Sequence, residues 1–110
     1  MSYKIVSTHT FDRELKRLAK KHRSIKADIG ELGEQLEKNP TMGDEIIKHC
    51  YKIRMAITSK NKGKSGGSRV ITYVYINQET VFLLSIYDKG EQEDISNNEL
   101  KMMIESLGLE

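Results

Sequence analysis

The first twenty residues change from a strand-like to a helical pattern of apolar positions. Tyr3 to Ser7 is short and β-prone, and it leads into Thr10. From there Phe11, Leu15 and Leu18 recur at i, i+4 and i+7, which places them on one face of a helix. The pattern predicts one short strand followed by an amphipathic helix whose opposite face is basic.

A second helical run follows a tight connection near His22-Arg23. It begins after Ser24, a favourable N-cap residue, and stops at Pro40, so the two helices form a hairpin. Gly30 and Gly33 lie inside this run, where each costs about 1 kcal/mol relative to Ala. We expect these glycines to mark a close packing contact.

Beyond Gly43 the period of the apolar positions becomes two. Tyr51 to Thr58 alternates apolar with polar residues, which is typical of a half-buried strand. The segments Arg69 to Ile76 and Thr80 to Tyr87 are β-branched and aromatic, and their short connection predicts a hairpin. Together these three strands are expected to form an antiparallel meander. The composition of Ser59 to Ser68 predicts a loop, and we call this segment the basic loop.

The last element has a clear start signal. Ser96 and, three residues later, Glu99 match a capping box, and apolar residues at helical spacing follow. The predicted order is β-α-α-β-β-β-α. Because strands and helices are segregated, we predict a compact α+β fold with an N-terminal helical hairpin and a C-terminal helix packed on the meander. The length of 110 residues predicts a single domain, residues 1–110.

The net charge of +2 hides a strong segregation of charge along the chain. Residues 46–78 carry 7 basic residues and no carboxylate, whereas residues 79–110 carry 2 basic and 8 acidic residues. Such a long stretch without a carboxylate points to a polyanionic partner such as nucleic acid.

Composition also excludes several classes of protein. The single Cys50 cannot form an internal disulfide, and no His and Cys residues have the spacing of a zinc site. The N-terminus lacks an apolar signal core, and no apolar run approaches the roughly 20 residues that span a bilayer. The carboxylates of residues 88–94 match no recognised metal motif, and the helix dipole and solvent exposure explain them. We expect a soluble cytoplasmic protein with no metal and no other cofactor.

The basic loop carries the clearest candidate chemistry. Its glycines and alternating lysines can wrap a phosphate backbone, and Arg69 at the start of the next strand offers a bidentate contact. The glycine spacing does not match a P-loop. A solvated hairpin loop is the alternative that this composition leaves open. The lysines are Lys60, Lys62 and Lys64.

Cations and tyrosines alternate on the strands beside this loop. Lys52 and Arg54 share one strand face, and cross-strand pairing can bring tyrosines next to them. Single-stranded nucleic acid uses this combination, because charge tracks the backbone while rings stack on bases. Core packing is the alternative for tyrosines on these strands, but we expect Tyr73 and Tyr87 to be more open.

The basic loop also has groups that RNA cleavage needs. Attack by a ribose 2′-hydroxyl requires a base, cations for the phosphorane charge and an acid for the departing 5′ oxygen. A lysine cluster can supply charge and base together, because neighbouring cations depress a lysine's pKa. This chemistry requires no metal.

Three blocks of the sequence resemble a known family. They are Lys52-Ile53-Arg54, the stretch from Lys62 to Tyr73 and the stretch from Leu83 to Glu91. In this order they resemble the RelE/ParE superfamily of bacterial toxins, and more narrowly its HigB-like members in the RelE branch. The resemblance covers nearly the whole chain and implies that family's compact fold.

The resemblance implies a toxin of a type II toxin-antitoxin pair that cuts mRNA in the ribosomal A site without a metal. It implies mRNA, the ribosome and a cognate antitoxin as partners. The antitoxin, expected to be a helix-turn-helix protein, has to mask the basic surface. Carried over to this chain, the family's basic cleavage residues fall on Lys62, Lys64, Arg69 and Lys89, and Arg54 contacts phosphate.

The identity of the general acid stays open. Some RelE-type enzymes have a tyrosine or histidine near the final helix, but Asp94-Ile95-Ser96 offers neither. Tyr73, Tyr87 or Lys89 can take that role. Further RNA contacts are predicted for Lys52 and Lys60 and for the basic face of the first helix, Arg13, Lys16 and Lys20.

Two other functions fit the same sequence. A ParE-like inhibitor of DNA gyrase shares the fold without the cleavage, although clustered cations at a cleft are not needed for it. A non-catalytic RNA-binding module predicts salt-sensitive binding without cut products.

Overall fold

The computed structural model describes residues 2–109, so Met1 and Glu110, the ends of the predicted domain, lie outside the described residues. Residues 2–109 contain three α-helices and five strands. Their order along the chain is β1 (Lys4–Ser7), α1 (His9–Ala19), α2 (Ile25–Lys38), β2 (Asp44–Ile47), β3 (Cys50–Met55), β4 (Ser68–Tyr75), β5 (Thr80–Asp88) and α3 (Asn97–Glu105). Within residues 2–109, each helix is too short or too polar to cross a membrane.

The strands form one sheet in the order β1-β5-β4-β3-β2. Neighbours from β2 to β5 are antiparallel, whereas β1 runs parallel to β5. The predicted α+β class and the antiparallel meander are confirmed. The apolar pattern of β1 does not specify its parallel partner, because a strand's period is the same in either kind of pairing.

The sequence pattern misses β2. This strand has only four residues and begins with two carboxylates, Asp44 and Glu45, so it shows no apolar alternation. It pairs with β3 because a tight turn places Ile47 opposite Cys50, and His49 in this turn adopts a left-handed φ of 65°. The full order is therefore β-α-α-β-β-β-β-α.

The helices begin at polar residues, but not all of these make cap bonds. The Thr8 and Ser96 hydroxyls accept hydrogen bonds from the first turns of α1 and α3. Ser24 precedes α2 as predicted, yet its hydroxyl donates to the Asp28 carboxylate at 2.9 Å instead of capping the backbone. Asp28 in turn accepts from the Thr58 N–H at 3.0 Å, so this carboxylate ties α2 to the start of the basic loop.

The sheet is covered on both faces. On one face the helical hairpin contributes Phe11 and Leu18, which pack against strand residues such as Val70. On the other face α3 contributes Leu100, which packs against a second cluster that includes Ile71.

The glycines have a different role from the predicted one. A Cβ built on Gly30 or Gly33 meets nothing within 4 Å, so the expected packing contact is wrong. The close approach is at Gly67, where a Cβ falls 2.4 Å from the Met55 carbonyl oxygen. Because this backbone contact leaves no room for a side chain, Gly67 lets the basic loop lie directly against β3.

Candidate functional site

A row of three residues crosses the sheet beside the basic loop. Arg54 on β3 is paired with Arg69 on β4, and Arg69 is paired with Tyr87 on β5. Directly paired residues project their side chains from the same face, so two cations and a phenol lie next to each other. Lys52 lies two residues before Arg54 and shares that face.

Arg69, at the start of β4, is buried beneath the basic loop. The residue is 6% exposed, and Nη1 donates to the Lys64 and Ser68 carbonyls at 3.1 Å each. Nη2 donates to the Ser65 carbonyl at 3.3 Å. Arg69 therefore fixes the loop's path and adds positive charge beneath it, and an exposed bidentate contact is not the arrangement seen.

Lys62 and Lys64 lie on the exposed part of the loop. Two residues with left-handed φ turn the loop here: Asn61, at 61°, precedes Lys62, and Gly63, at 69°, separates the two lysines. Because Arg69 holds the Lys64 carbonyl, this ammonium projects from an anchored backbone. We call the set Lys52, Arg54, Lys62, Lys64 and Arg69 the basic surface.

Tyr87 lies beneath the basic surface and is less open than predicted. It is 2% exposed, and its hydroxyl donates to the Glu93 carbonyl at 3.5 Å. Burial raises the pKa of Tyr87, the Asp94 carboxylate raises it further, and the Arg69 charge opposes them. The phenol therefore stays protonated at neutral pH, which makes it a proton donor and not a base.

Asp94 is a site residue that the sequence pattern did not reveal. Its carboxylate lies 3.5 Å from Lys52 Nζ and accepts from the Ile95 N–H at 2.9 Å. That backbone bond, with the charges of Lys52 and Lys89, holds the pKa of Asp94 below its usual range although desolvation opposes them. An aspartate just before a helix is explained by its favourable interaction with the helix dipole. Its role in the site is therefore visible only from its neighbours in space.

Lys60 lies apart from the basic surface. Its ammonium donates to Asp88 Oδ1 at 2.9 Å, and His22 Nε2 lies 3.0 Å from Asp88 Oδ2. The Asp88 side chain is 7% exposed, so this ionic cluster is buried and joins the end of α1 to the loop and to β5. Lys60 thus has a carboxylate partner within the protein, and its contact with RNA stays a prediction.

Lys89 is brought next to the loop through its backbone. Its N–H donates to the Gly67 carbonyl at 3.0 Å, and its charge acts on Asp94. Tyr73 is not brought there: it lies four residues after Arg69, about 13 Å along the strand, and packs with the α3 cluster.

The basic residues of α1 form a separate surface. Arg13, Lys16 and Lys20 are exposed, and α1 packs on the sheet face opposite to Tyr87. Arg17 of this helix and Lys21, two residues past its end, pair with Glu91. Contacts through α1 and through the basic surface therefore involve opposite sides of the molecule.

The carboxylates do not gather into a metal-binding arrangement. In the part of the chain that the structure describes, no three His, Cys, Asp or Glu side chains lie close enough together to hold a metal ion. Asp88 and Asp94 point instead to lysines.

The fold and the basic surface agree with the toxin family that the sequence resembles. The model of the family described as "RelE toxin of RelE / RelB toxin-antitoxin system" matches residues 3–107. The chain therefore belongs to the RelE toxin family.

Solved structures show the same fold at low sequence identity. A mutant of the E. coli toxin RelE in the free state is 20% identical with a TM-score of 0.60, over 84% of this chain and 90% of that one. The isolated E. coli RelE toxin is 17% identical with a TM-score of 0.57, over 94% of this chain and 98% of that one. A chain of the toxin-antitoxin complex RelBE2 from Mycobacterium tuberculosis is 19% identical with a TM-score of 0.57, over 80% and 99%.

Proposed function

We propose that this single-domain toxin cleaves mRNA on translating ribosomes in the cytoplasm, with protein side chains supplying the charge and the proton transfers. The observation that carries the proposal is the basic surface. Its exposed lysines Lys62 and Lys64 lie on a loop anchored by Arg69, next to the protonated phenol of Tyr87. The family supports a ribonuclease, because its members are generally known as mRNA-cleaving toxins.

The roles follow from exposure and position. Arg54, Lys62 and Lys64 are exposed cations that bind the RNA backbone and neutralise the charge of the phosphorane. One of the two loop lysines takes the proton of the 2′-hydroxyl, whose oxygen then attacks the phosphorus. Arg69 holds the loop in place and contributes its charge from below.

Departure of the 5′ oxygen needs a proton, and Tyr87 is the proposed donor. Its pKa is raised by burial and by Asp94, so the proton is present at neutral pH. Residues 93 and 94 cover the hydroxyl, and substrate binding has to move this segment before transfer. Lys89, beside the same segment, is the second candidate. The bond to the 5′ oxygen breaks as the proton arrives, which leaves a 2′,3′-cyclic phosphate.

The proposed partners use different sides of the molecule. A cognate antitoxin covers the basic surface with an acidic or amphipathic segment, as the RelBE2 complex is itself a toxin-antitoxin pair. On the opposite face, exposed cations on and next to α1 bind ribosomal RNA. These cations are Arg13, Lys16 and Lys20.

The test is brief induction followed by mapping of mRNA 5′ ends. We expect cuts confined to translated messages, and we expect the double variant Lys62→Ala, Lys64→Ala to lose both the cuts and the growth arrest. Both lysines are exposed, so the variant keeps its fold. Lys38→Ala removes another exposed lysine, at the end of α2, and should cut like the wild type.

Other outcomes point to the alternative functions. DNA damage with intact mRNA would identify a gyrase inhibitor. Salt-sensitive RNA binding without cut ends would identify a binding module. Full toxicity of the double-lysine variant would contradict the ribonuclease proposal.

A further inference from the structure

A cleft opens at the edge of the sheet next to the basic surface. β2 pairs with β3 only as far as Lys52, so the edge of β3 from Ile53 to Met55 has no strand on that side. α2 forms the opposite wall, and the cleft between them has a volume of about 190 Å³. Sites for drug-sized ligands have roughly 300–1,000 Å³, so this cleft suits a smaller group of about the size of one nucleobase.

The cleft continues the basic surface. Arg54 and Lys64 line it, and the same two residues line the shallow depression beside it that contains Lys52. A polynucleotide whose phosphates lie on the basic surface therefore passes the mouth of the cleft. The base of one nucleotide can enter while its sugar and phosphate stay on the cations.

The interior of the cleft has one apolar side and one polar side. The apolar side, from both walls, consists of Leu32, Met42, Ile53 and Met55. The polar side is the exposed row Glu31 and Gln35, one helical turn apart on α2. Apolar side chains and the Arg54 guanidinium plane are surfaces on which a base stacks.

The polar row has open hydrogen-bonding capacity. Asp28, which also lines the cleft, already accepts bonds from Ser24 and Thr58. Within residues 2–109, the side chains of Glu31 and Gln35 make no hydrogen bond or ion pair. The Glu31 carboxylate, which only accepts hydrogen bonds, and the Gln35 amide, which can also donate, are therefore both available to a group that fills the cleft.

We propose that this cleft is a subsite that reads one guanine of the RNA, an inference that rests on the proposed function. The two oxygens of Glu31 match the neighbouring N1–H and 2-amino donors of guanine. The Gln35 amide can donate to O6. Adenine lacks this pair of adjacent donors, because its N1 is an acceptor and its C2 carries no amino group. Uracil has a single N–H between two carbonyl oxygens, and these oxygens repel the carboxylate. The residue pair thus selects guanine by the hydrogen-bonding pattern of the base edge.

A titration of the whole protein with nucleotides tests the subsite directly. We expect guanosine monophosphate to bind more tightly than inosine monophosphate, which lacks the 2-amino group, and than adenosine monophosphate, by about tenfold. All three carry the same phosphate, so a difference reports on the base. Glu31→Gln should remove this difference, whereas Glu34→Gln, the same change on α2 outside the cleft, should keep it. Equal binding of the three nucleotides by the wild type, or an unchanged preference in Glu31→Gln, would overturn the subsite.

Cut-site profiles separate this inference from the proposed function. In the mRNA 5′ ends mapped for the wild type, guanine should be enriched at one fixed position relative to the cut. This enrichment should fall about tenfold in Glu31→Gln. It should be unchanged in the control Glu34→Gln. Cuts without guanine enrichment would overturn the subsite and leave the ribonuclease standing. Guanine-selective nucleotide binding without any cut mRNA would support the subsite and contradict the ribonuclease.

Discussion

The Asp94 carboxylate lies 3.5 Å from the Lys52 ammonium, on the sheet face that carries the basic surface. The Lys52 side chain is 27% exposed and that of Asp94 is 63% exposed, so water screens the pair and it adds little to stability. The carboxylate nevertheless holds a negative charge where RNA phosphate is proposed to bind. Asp94 thus competes with the substrate for Lys52.

Asp94→Asn should tighten RNA binding. Removing one negative charge from the basic surface should raise the affinity for single-stranded RNA by about two- to fivefold at low salt, and the gain should shrink as salt increases. Fluorescence anisotropy with a labelled oligonucleotide measures this. Glu93→Gln is the matched control, because Glu93 is exposed and its side chain makes no ion pair in residues 2–109. Weaker binding by Asp94→Asn would contradict the competition.

Tyr87→Phe should separate cleavage from binding. Loss of the proposed proton donor should lower the cleavage rate by about 10²-fold. The hydroxyl's bond to the Glu93 carbonyl is long, so the free energy of unfolding should fall by only about 1 kcal/mol. Single-turnover cleavage and anisotropy measure the two properties, with Tyr75→Phe on the same sheet as control. If Tyr87→Phe cleaves at the wild-type rate, the proton donor lies elsewhere and Lys89 becomes the first candidate.

Asp88→Asn should destabilise the fold. The substitution leaves the Lys60 ammonium, whose side chain is 18% exposed, without its carboxylate partner. Breaking a buried ion pair in this way costs about 3 kcal/mol in the free energy of unfolding. Urea denaturation measures it. Glu91→Gln breaks the exposed pairs with Arg17 and Lys21 instead and should cost at most about 1 kcal/mol. Equal costs for the two variants would show that burial of Asp88 does not matter.

The effect of Asp88 should depend on pH in a defined direction. Burial raises the pKa of Asp88, but hydrogen bonds from Lys60, Gly90 and His22, with the Lys60 charge, outweigh burial and hold the pKa below its ordinary value of 3.8. A lowered folded-state pKa stabilises the protein above the unfolded-state pKa, and this stabilisation disappears as pH falls through the folded value. The difference in stability between wild type and Asp88→Asn should shrink as pH falls below about 4, where the Asp88 carboxylate takes up a proton. A difference that does not shrink in this acid range would contradict this account.

Gly30→Ala and Gly33→Ala should each stabilise the protein. Both positions lie inside α2, and an added Cβ meets nothing within 4 Å. Alanine therefore improves helix propensity without a clash, by about 0.5–1 kcal/mol per site. Thermal denaturation measures the gain. Gly67→Ala is the contrasting variant and should destabilise, because its Cβ falls 2.4 Å from the Met55 carbonyl oxygen. A loss of stability at Gly30 or Gly33 would mean that α2 packs more closely than the structure shows.

Much of the fold follows from local sequence patterns. The apolar period specifies α1, α2, β3, β4, β5 and α3, because the face that a helix or strand buries depends only on the spacing of its own residues. β2 escapes this reasoning, since four residues that begin with Asp44 and Glu45 become a strand only when a neighbouring strand supplies their hydrogen bonds. The parallel pairing of β1 with β5 likewise depends on how the hairpin of α1 and α2 returns the chain.

The sequence by itself determined the helices, most of the strands and the block of charge that forms the basic surface, because composition and period are properties of consecutive residues. Only the tertiary structure decided what each charge contacts. Lys60 meets Asp88 and Lys52 meets Asp94 across separations of 28 and 42 residues. Burial of Arg69 and Tyr87, and the cleft beside Glu31, also arise only when distant segments pack together. Ion pairs and clefts depend on distances in space, and residue spacing along the chain does not record these.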